Sequence, residues 1–223
     1  MFTPETPITD HPALPDAVPL VAGFHDDRNR LSYYYPRLTA LDAVTTPETK
    51  FFTVTGGTDS IPACKYRKIT KFMQDINTQS AFMRGDFSSG KLSREARVID
   101  SQDPTEIEHT FSMLIQNLIK TGRHLGGRIA VREFIPHDVE IRYFIENGDT
   151  EGVSVTKDNR HDAESDALSV DSLTLPGNQI SSITDAFSSL AWSVDFIRHD
   201  ETGEWYCVDM GLDGLYYNTD SNE

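Results

Sequence analysis

The sequence predicts an α+β fold in which antiparallel sheets pack against helices, and three observations favour it. Strand-like segments occur in consecutive pairs, whereas neighbouring parallel strands need a crossover connection between them. Amphipathic helical segments separate these groups of strands. A short polar turn containing Thr202 and Gly203 joins the last two strands, which is typical of a hairpin.

The first half of the chain supplies two strands and two helices. Lys50–Thr55 is rich in β-favouring residues and predicts a strand. Apolar residues recur at helical spacing over Pro62–Ile76, which predicts a helix. Ala81–Arg84 predicts a short strand that enters the loop Gly85–Lys91. Asp103–His124 is the clearest helix, because it begins with Asp-Pro, has acidic residues in its first turn and is followed by two glycines.

The central segment Val131–Ile145 (VREFIPHDVEIRYFI) predicts a hairpin of two strands joined at Pro136–Asp138. Four charged residues are embedded in it: Arg132, Glu133, Glu140 and Arg142. If the hairpin is half-buried, these charges need partners or a ligand. The alternative is a surface hairpin whose polar face is solvated.

The last part of the chain predicts a strand over Gly152–Thr156 and a helix over Ile180–Ala191. A closing hairpin follows, with strands Trp192–Ile197 and Trp205–Asp209. Near the other end of the chain lies the aromatic cluster Tyr33–Tyr35. It can serve as core, interface or substrate platform, and its composition favours core.

The chain is strongly acidic. Its 223 residues carry a formal charge of −15 with only 20 basic residues, most of them Arg. High salt screens the self-repulsion of such a surface, so we interpret the protein as halophilic, working in a very salty cytoplasm. We expect its far-UV circular dichroism to show the full folded signal only in high salt. Complete folding in the absence of salt would contradict this hypothesis.

The same composition excludes several classes of function. An acidic surface argues against nucleic acid as a partner. Cys64 and Cys207 match no metal or redox spacing and are predicted to be buried apolar residues. No segment reaches the length of a membrane span, and the N-terminus resembles no signal peptide, which predicts a soluble cytoplasmic protein with no membrane partner.

Two carboxylates lie inside the apolar strands of the closing hairpin, Asp195 in SVDFI and Asp209 in YCVDM. Carboxylates on adjacent half-buried strands repel one another unless a cation lies between them. Mg²⁺ binds a few carboxylates together with substrate phosphate oxygens. The alternative is that one or both side chains point to solvent.

The loop GDFSSGK has the outline of a phosphate-binding P-loop, but Leu92 replaces the hydroxyl residue that would bind Mg²⁺. The following LSREARVID predicts only a weak helix. A P-loop kinase would also need a parallel α/β sheet. A kinase or nucleotidyl transferase that uses Lys91 in this loop is a further alternative.

Four segments, in family order, resemble the ATP-grasp superfamily over roughly Leu38–Tyr217. ALDAVTTPETKFF is similar to the family's opening segment, and AFMRGDFSSGK to its phosphate-covering strand and loop. VREFIPHDVEIRYFI resembles the hinge strand, and WSVDFIRHDETGEWYCVDMGLDG the metal-binding hairpin. The resemblance implies an ATP site between two lobes, roughly 60–128 and 129–217. Residues 1–37, an extended arm with a reduced N-terminal region, and the tail 218–223 lie outside this domain.

The resemblance also implies roles for individual residues. Arg84 and Lys91 would contact the ATP phosphates, and Arg142 would reach the phosphates or an acyl-phosphate intermediate. Glu140 would bind the ribose hydroxyls. The adenine edge would be read by the segment Glu133, Phe134 and Ile135.

Asp195 and Asp209 would hold one or two Mg²⁺ ions. Two departures from the family pattern affect this site: Asp209 replaces a Glu, and Gly211 replaces an Asn. Asp213 is the candidate to supply the missing ligand.

The implied activity is an ATP- and Mg²⁺-dependent ligase. It would activate a carboxylate as acyl phosphate and couple it to an amine or another nucleophile of a small molecule or peptide. A non-catalytic ATP-binding module that acts as an assembly factor is the main alternative, and Gly211 favours it.

Overall fold

The computed structural model describes residues 29–55, 64–87, 97–120, 127–146, 149–157, 176–187 and 192–212. Within these ranges the helices are α1 (Leu31–Leu38), α2 (Tyr66–Asp75), α3 (Pro104–Lys120) and α4 (Gly177–Phe187). The strands are β1 (Thr49–Thr53), β2 (Ala81–Gly85), β3 (Val98–Ile99), β4 (Arg128–Glu133), β5 (His137–Glu146), β6 (Asp149–Lys157), β7 (Trp192–His199) and β8 (Trp205–Leu212). No helix in the described ranges is long and apolar enough to span a membrane.

The strands form two four-stranded sheets, in the orders β1-β4-β2-β3 and β6-β5-β7-β8. Every pairing within them is antiparallel. The predicted α+β class with antiparallel sheets is therefore confirmed.

The chain divides into two compact units. Of the described residues, the first contains those up to Ser32 and those within Glu48–Phe134, and so holds the first sheet with α2 and α3. The second contains Tyr33–Pro47 and the chain from Ile135 onward, with the second sheet and α4.

In the first unit, α2 and α3 pack their apolar faces into one core with β1, β2, β3 and β4. Ile69, Phe72 and Met73 of α2 are buried, as their helical spacing predicts. The ring of Phe72 contacts that of Phe52 edge-on at 6.2 Å between centroids. Both predicted helices of this unit are confirmed, with α2 limited to Tyr66–Asp75 and α3 beginning at Pro104.

The predicted hairpin over Val131–Ile145 is wrong. Both strands exist, but β4 pairs with β1 and β2, whereas β5 pairs with β6 and β7. Each strand has neighbours on both edges, so neither has an edge left for the other. The connection contains Pro136, and the chain passes from one unit to the other between Phe134 and Ile135.

Two elements were not predicted. Helix α1 occupies the segment whose sequence suggests only an aromatic cluster, and it has Pro36 in its interior. Its buried residues share helical spacing: Leu31, Tyr34, Tyr35 and Leu38. Strand β3 replaces the end of the weak helix predicted in LSREARVID and pairs with β2.

The closing hairpin is confirmed as β7 and β8, and Gly203 in its turn has a φ of 71°. A positive φ is accessible to glycine at little cost, which explains the residue at this position. Cys207 on β8 is fully buried and Cys64 is half-buried; both are free thiols.

Candidate functional site

The candidate site is one face of the second sheet, where β5, β7 and β8 lie side by side. The strand register places Arg142 opposite Asp195, and Asp195 opposite Asp209. Directly paired residues of a sheet project from the same face, and so do residues two apart on one strand. Glu140 therefore joins Arg142, Asp195 and Asp209 on this face, and these four predicted site residues are brought together.

A β-bulge in the last hairpin gives Asp209 this position. Phe196 pairs with Cys207, but the preceding Asp195 pairs with Asp209, so Val208 is the extra residue. Without the bulge, Cys207 and Asp209 would project from the same face of β8. The bulge lets Cys207 stay in the core while Asp209 lies beside Asp195.

Asp195 forms a bidentate ion pair with Arg142. Its two carboxylate oxygens accept from Nε and from one terminal nitrogen of the Arg142 guanidinium, each at 2.6 Å. Burial raises the pKa of Asp195 to about 6, against the lowering effect of Arg142. The charges of Asp209 and Glu140 raise that pKa further. Asp195 thus lies among several carboxylates with one guanidinium as counter-charge.

Asp209 is held by a residue that the sequence analysis did not assign to the site. The Tyr34 hydroxyl donates to Oδ1 of Asp209, and the Met210 backbone N–H donates to the same oxygen at 2.9 Å. Tyr34 and Tyr35 are buried, as the core interpretation predicts, whereas Tyr33 is 44% exposed. The helical spacing of Tyr34 with Leu31 and Leu38 signals its burial, but no local pattern signals its bond to Asp209.

In the first unit, Arg84 lies on β2 and is 6% exposed, with its Nε donating to the carbonyl of Gly85 at 3.3 Å. Glu133 ends β4, where it pairs with Ala81, three positions before Arg84. The two predicted residues are thus about 10 Å apart along the strands.

The predicted adenine-reading segment follows directly after β4. The Phe134 N–H donates to the Ser80 carbonyl at 3.3 Å, and the Ile135 carbonyl contacts Nδ1 of His137 at 2.9 Å. Two other predicted site residues, Lys91 and Asp213, lie outside the described residues.

The described residues of this face bring two carboxylates together but form no preformed metal centre. Within the described ranges, no three His, Cys, Asp or Glu side chains are grouped to hold a metal. Mg²⁺ commonly uses one or two carboxylates and completes its shell with water and phosphate oxygens. Asp195 and Asp209 would be the carboxylates of this kind, and both oxygens of Asp195 already accept from Arg142.

The start of the GDFSSGK loop is a structural anchor. The Asp86 side chain is fully buried and accepts from the backbone N–H of Ser32 at 2.8 Å and from its hydroxyl at 2.7 Å. Arg30 lies 3.5 Å from the same carboxylate.

The strand that precedes this loop, β2, belongs to an antiparallel sheet, whereas a P-loop requires a parallel sheet. Ser88–Lys91 lie outside the described residues.

No family profile matches the sequence, and no curated protein aligns with it significantly. Solved structures do match. The biotin carboxylase domain of Hydrogenobacter thermophilus 2-oxoglutarate carboxylase, solved with MgADP, ADP and bicarbonate, has a TM-score of 0.57 at 11% identity over 86% of this chain and 41% of its own.

Two synthetases give similar values. D-alanyl-alanine synthetase A from Vibrio cholerae has a TM-score of 0.53 at 13% identity over 86% of this chain and 56% of its own. N5-carboxyaminoimidazole synthetase from Staphylococcus aureus, solved with ADP, has a TM-score of 0.53 at 9% identity over 86% of this chain and 45% of its own. The chain thus spans about half the length of these proteins. At these identities the likeness shows the fold alone: this chain folds like these proteins, as its resemblance to the ATP-grasp superfamily predicts.

Proposed function

We propose that the chain binds ATP with Mg²⁺ and acts as a carboxylate ligase. The observation that carries this proposal is the row Arg142, Asp195 and Asp209 across three neighbouring strands of an ATP-grasp fold. Such a row offers one cation for phosphate oxygens and two carboxylates for a metal. Phosphoryl transfer depends mainly on positioning and on charge stabilisation, and these groups supply both.

The proposal gives a role to each residue of this row and to Glu140 on the same face. Asp195 and Asp209 hold Mg²⁺, which when bound neutralises phosphate charge and orients the nucleotide. Arg142 stabilises the negative charge that develops as the terminal phosphoryl group moves to the substrate carboxylate. Glu140, on the same face, accepts hydrogen bonds from the ribose hydroxyls.

For the other residues the proposal keeps the roles that the resemblance implies: Arg84 and Lys91 would contact phosphates, and the segment Glu133, Phe134 and Ile135 would contact adenine. The acceptor in this proposal is an amine or another nucleophile of a small molecule or peptide. Coupling proceeds by attack of that nucleophile on the acyl phosphate, which releases inorganic phosphate.

Calorimetric titration of ATP in high-salt buffer, with and without Mg²⁺, tests the proposal. We expect Mg²⁺ to tighten ATP binding and Asp209→Ala to weaken the Mg²⁺-dependent binding at least about 10-fold, because a metal ligand is lost. Glu201→Ala removes an exposed acidic residue from the turn of the same hairpin and should bind like the wild type. Folded wild-type protein that binds no ATP would overturn the proposal.

A non-catalytic nucleotide-binding module is the second candidate. Gly211 favours it, because the resemblance places an Asn ligand at this position, and the described residues offer no third ligand. Release of ADP that depends on an added acceptor would support the ligase. Tight Mg²⁺·ATP binding without turnover across a panel of amine acceptors would support the module.

A further inference from the structure

Tyr34 lies beside the candidate metal site but comes from helix α1, before the segment that resembles the ATP-grasp superfamily. Its hydroxyl has two partners on β8: it donates to Oδ1 of Asp209 and accepts from the Met210 N–H at 3.3 Å. The same N–H also donates to Oδ1 at 2.9 Å. Three hydrogen bonds therefore join the phenol, the carboxylate and the backbone amide to one another.

The position of this hydroxyl is set by packing. Tyr34 is 0% exposed, and its ring meets Trp192 edge-on at 6.5 Å between centroids. Trp192 in turn contacts Phe187 of α4 at 5.4 Å. A buried ring between such neighbours has few alternative rotamers, so it can fix the carboxylate to which it donates.

Asp209 needs such support because of its place on the strand. It directly follows the bulge residue Val208, where the regular ladder with β7 is interrupted. Strand β8 is also the last strand of its sheet. On the other side of the bulge, the Cys207 N–H donates to the Thr45 carbonyl at 2.8 Å. Tyr34 and Thr45 thus secure β8 on either side of Val208.

We propose that Tyr34 is a positioning residue that holds the Asp209 carboxylate in the orientation needed for Mg²⁺. This inference rests on the proposed function, because it takes Asp209 as a metal ligand. Partners that orient metal ligands typically contribute 10- to 100-fold in metal affinity. Tyr34 would act on Mg²⁺ only through Asp209.

The variant Tyr34→Phe removes the hydroxyl and keeps the ring. The measurement is the Mg²⁺ concentration that half-maximally tightens ADP binding, taken from calorimetric titrations in high-salt buffer. We expect this concentration to rise about 10-fold in Tyr34→Phe, while ADP binding without Mg²⁺ stays at the wild-type value. In an Asp209→Ala background, Tyr34→Phe should cause no further rise.

Tyr35→Phe is the matched control. The Tyr35 hydroxyl is also buried and donates to the Pro47 carbonyl. Both variants should lower the thermal midpoint, but only Tyr34→Phe should change the Mg²⁺ requirement.

A lowered midpoint with an unchanged Mg²⁺ requirement in Tyr34→Phe would overturn the positioning role, provided that Asp209→Ala does change the requirement. If Asp209→Ala also leaves it unchanged, the metal-binding part of the proposed function fails instead.

Discussion

Asp86→Ala should lower the free energy of unfolding by about 3 kcal/mol, the cost expected when one partner of a buried charged network is removed. The Asp86 side chain is 0% exposed. Its loss removes the acceptor of the Ser32 backbone N–H and hydroxyl, and the carboxylate of Asp86 that lies 3.5 Å from Arg30. Asp86→Asn keeps an acceptor for Ser32 but not the charge, and should cost less. Urea denaturation in high-salt buffer measures both variants.

Asp103→Ala is the control for this prediction. Asp103 is exposed, and its Oδ1 accepts from the Thr105 N–H at the start of α3. Loss of an exposed helix cap costs about 1 kcal/mol. Equal losses in Asp86→Ala and Asp103→Ala would show that the buried anchor contributes no more than an ordinary cap.

Local patterns were sufficient for most elements of the fold. Helices α2 and α3 follow from apolar residues at helical spacing, because burial of one face is what stabilises them. The last hairpin follows from two apolar strands joined by a short turn with Gly203. In each case the pattern that predicts the element lies within one short segment, although the packing that stabilises it involves distant strands.

Strand pairing beyond neighbouring strands did not follow from the sequence. The segment Val131–Ile145 contains two real strands, but their partners come from Thr49–Thr53, Ala81–Gly85, Asp149–Lys157 and Trp192–His199. A local pattern reports that a strand forms and which residues alternate, whereas pairing depends on the competition among all strand edges. The same limit applies to β3, which consists of two residues paired with β2.

The candidate site was predictable only in its charged residues. Asp195 and Asp209 were predicted as site residues because they are carboxylates inside apolar strands, and a buried charge needs a partner. Two features could not be predicted from local sequence. They are the bulge at Val208, which aligns the two carboxylates, and the hydrogen bond from Tyr34, which lies 175 positions before Asp209. Helix α1 was not predicted because Pro36 lies in its interior, where proline is normally unfavourable. The buried residues of this helix do have helical spacing: Leu31, Tyr34, Tyr35 and Leu38.

The Arg142–Asp195 pair should give a strong pH effect on stability. We expect Arg142→Met to lower the free energy of unfolding by about 2 kcal/mol at pH 7.5, less than for a fully buried pair because the Arg142 side chain is 35% exposed. The loss at pH 5 should be much smaller. Urea denaturation in high salt measures the free energy of unfolding at both pH values. A chelator in the buffer keeps metal ions off the protein.

The sign follows from the pKa of Asp195. Its folded value of about 6 is raised above the model-compound value of 3.8, so the folded protein binds this proton more tightly than the unfolded chain. The stability linked to protonated Asp195 is fully present below pH 3.8 and is lost as the pH rises through 6. Arg142 lowers the pKa of Asp195. In Arg142→Met this pKa is therefore higher, and the stability continues to fall up to a higher pH. Asp195→Asn removes the titration and should flatten the profile.

The double variant Arg142→Met/Asp195→Asn decides whether the effect belongs to the pair. It leaves no buried carboxylate without its guanidinium, so it should be more stable at pH 7.5 than Arg142→Met alone. The surface pair Arg198–Asp138 provides a control of opposite sign, because Arg198 lowers the pKa of Asp138 and its small contribution is lost as the pH falls. If Arg142→Met costs the same at pH 5 and pH 7.5, a group other than Asp195 carries the unpaired charge.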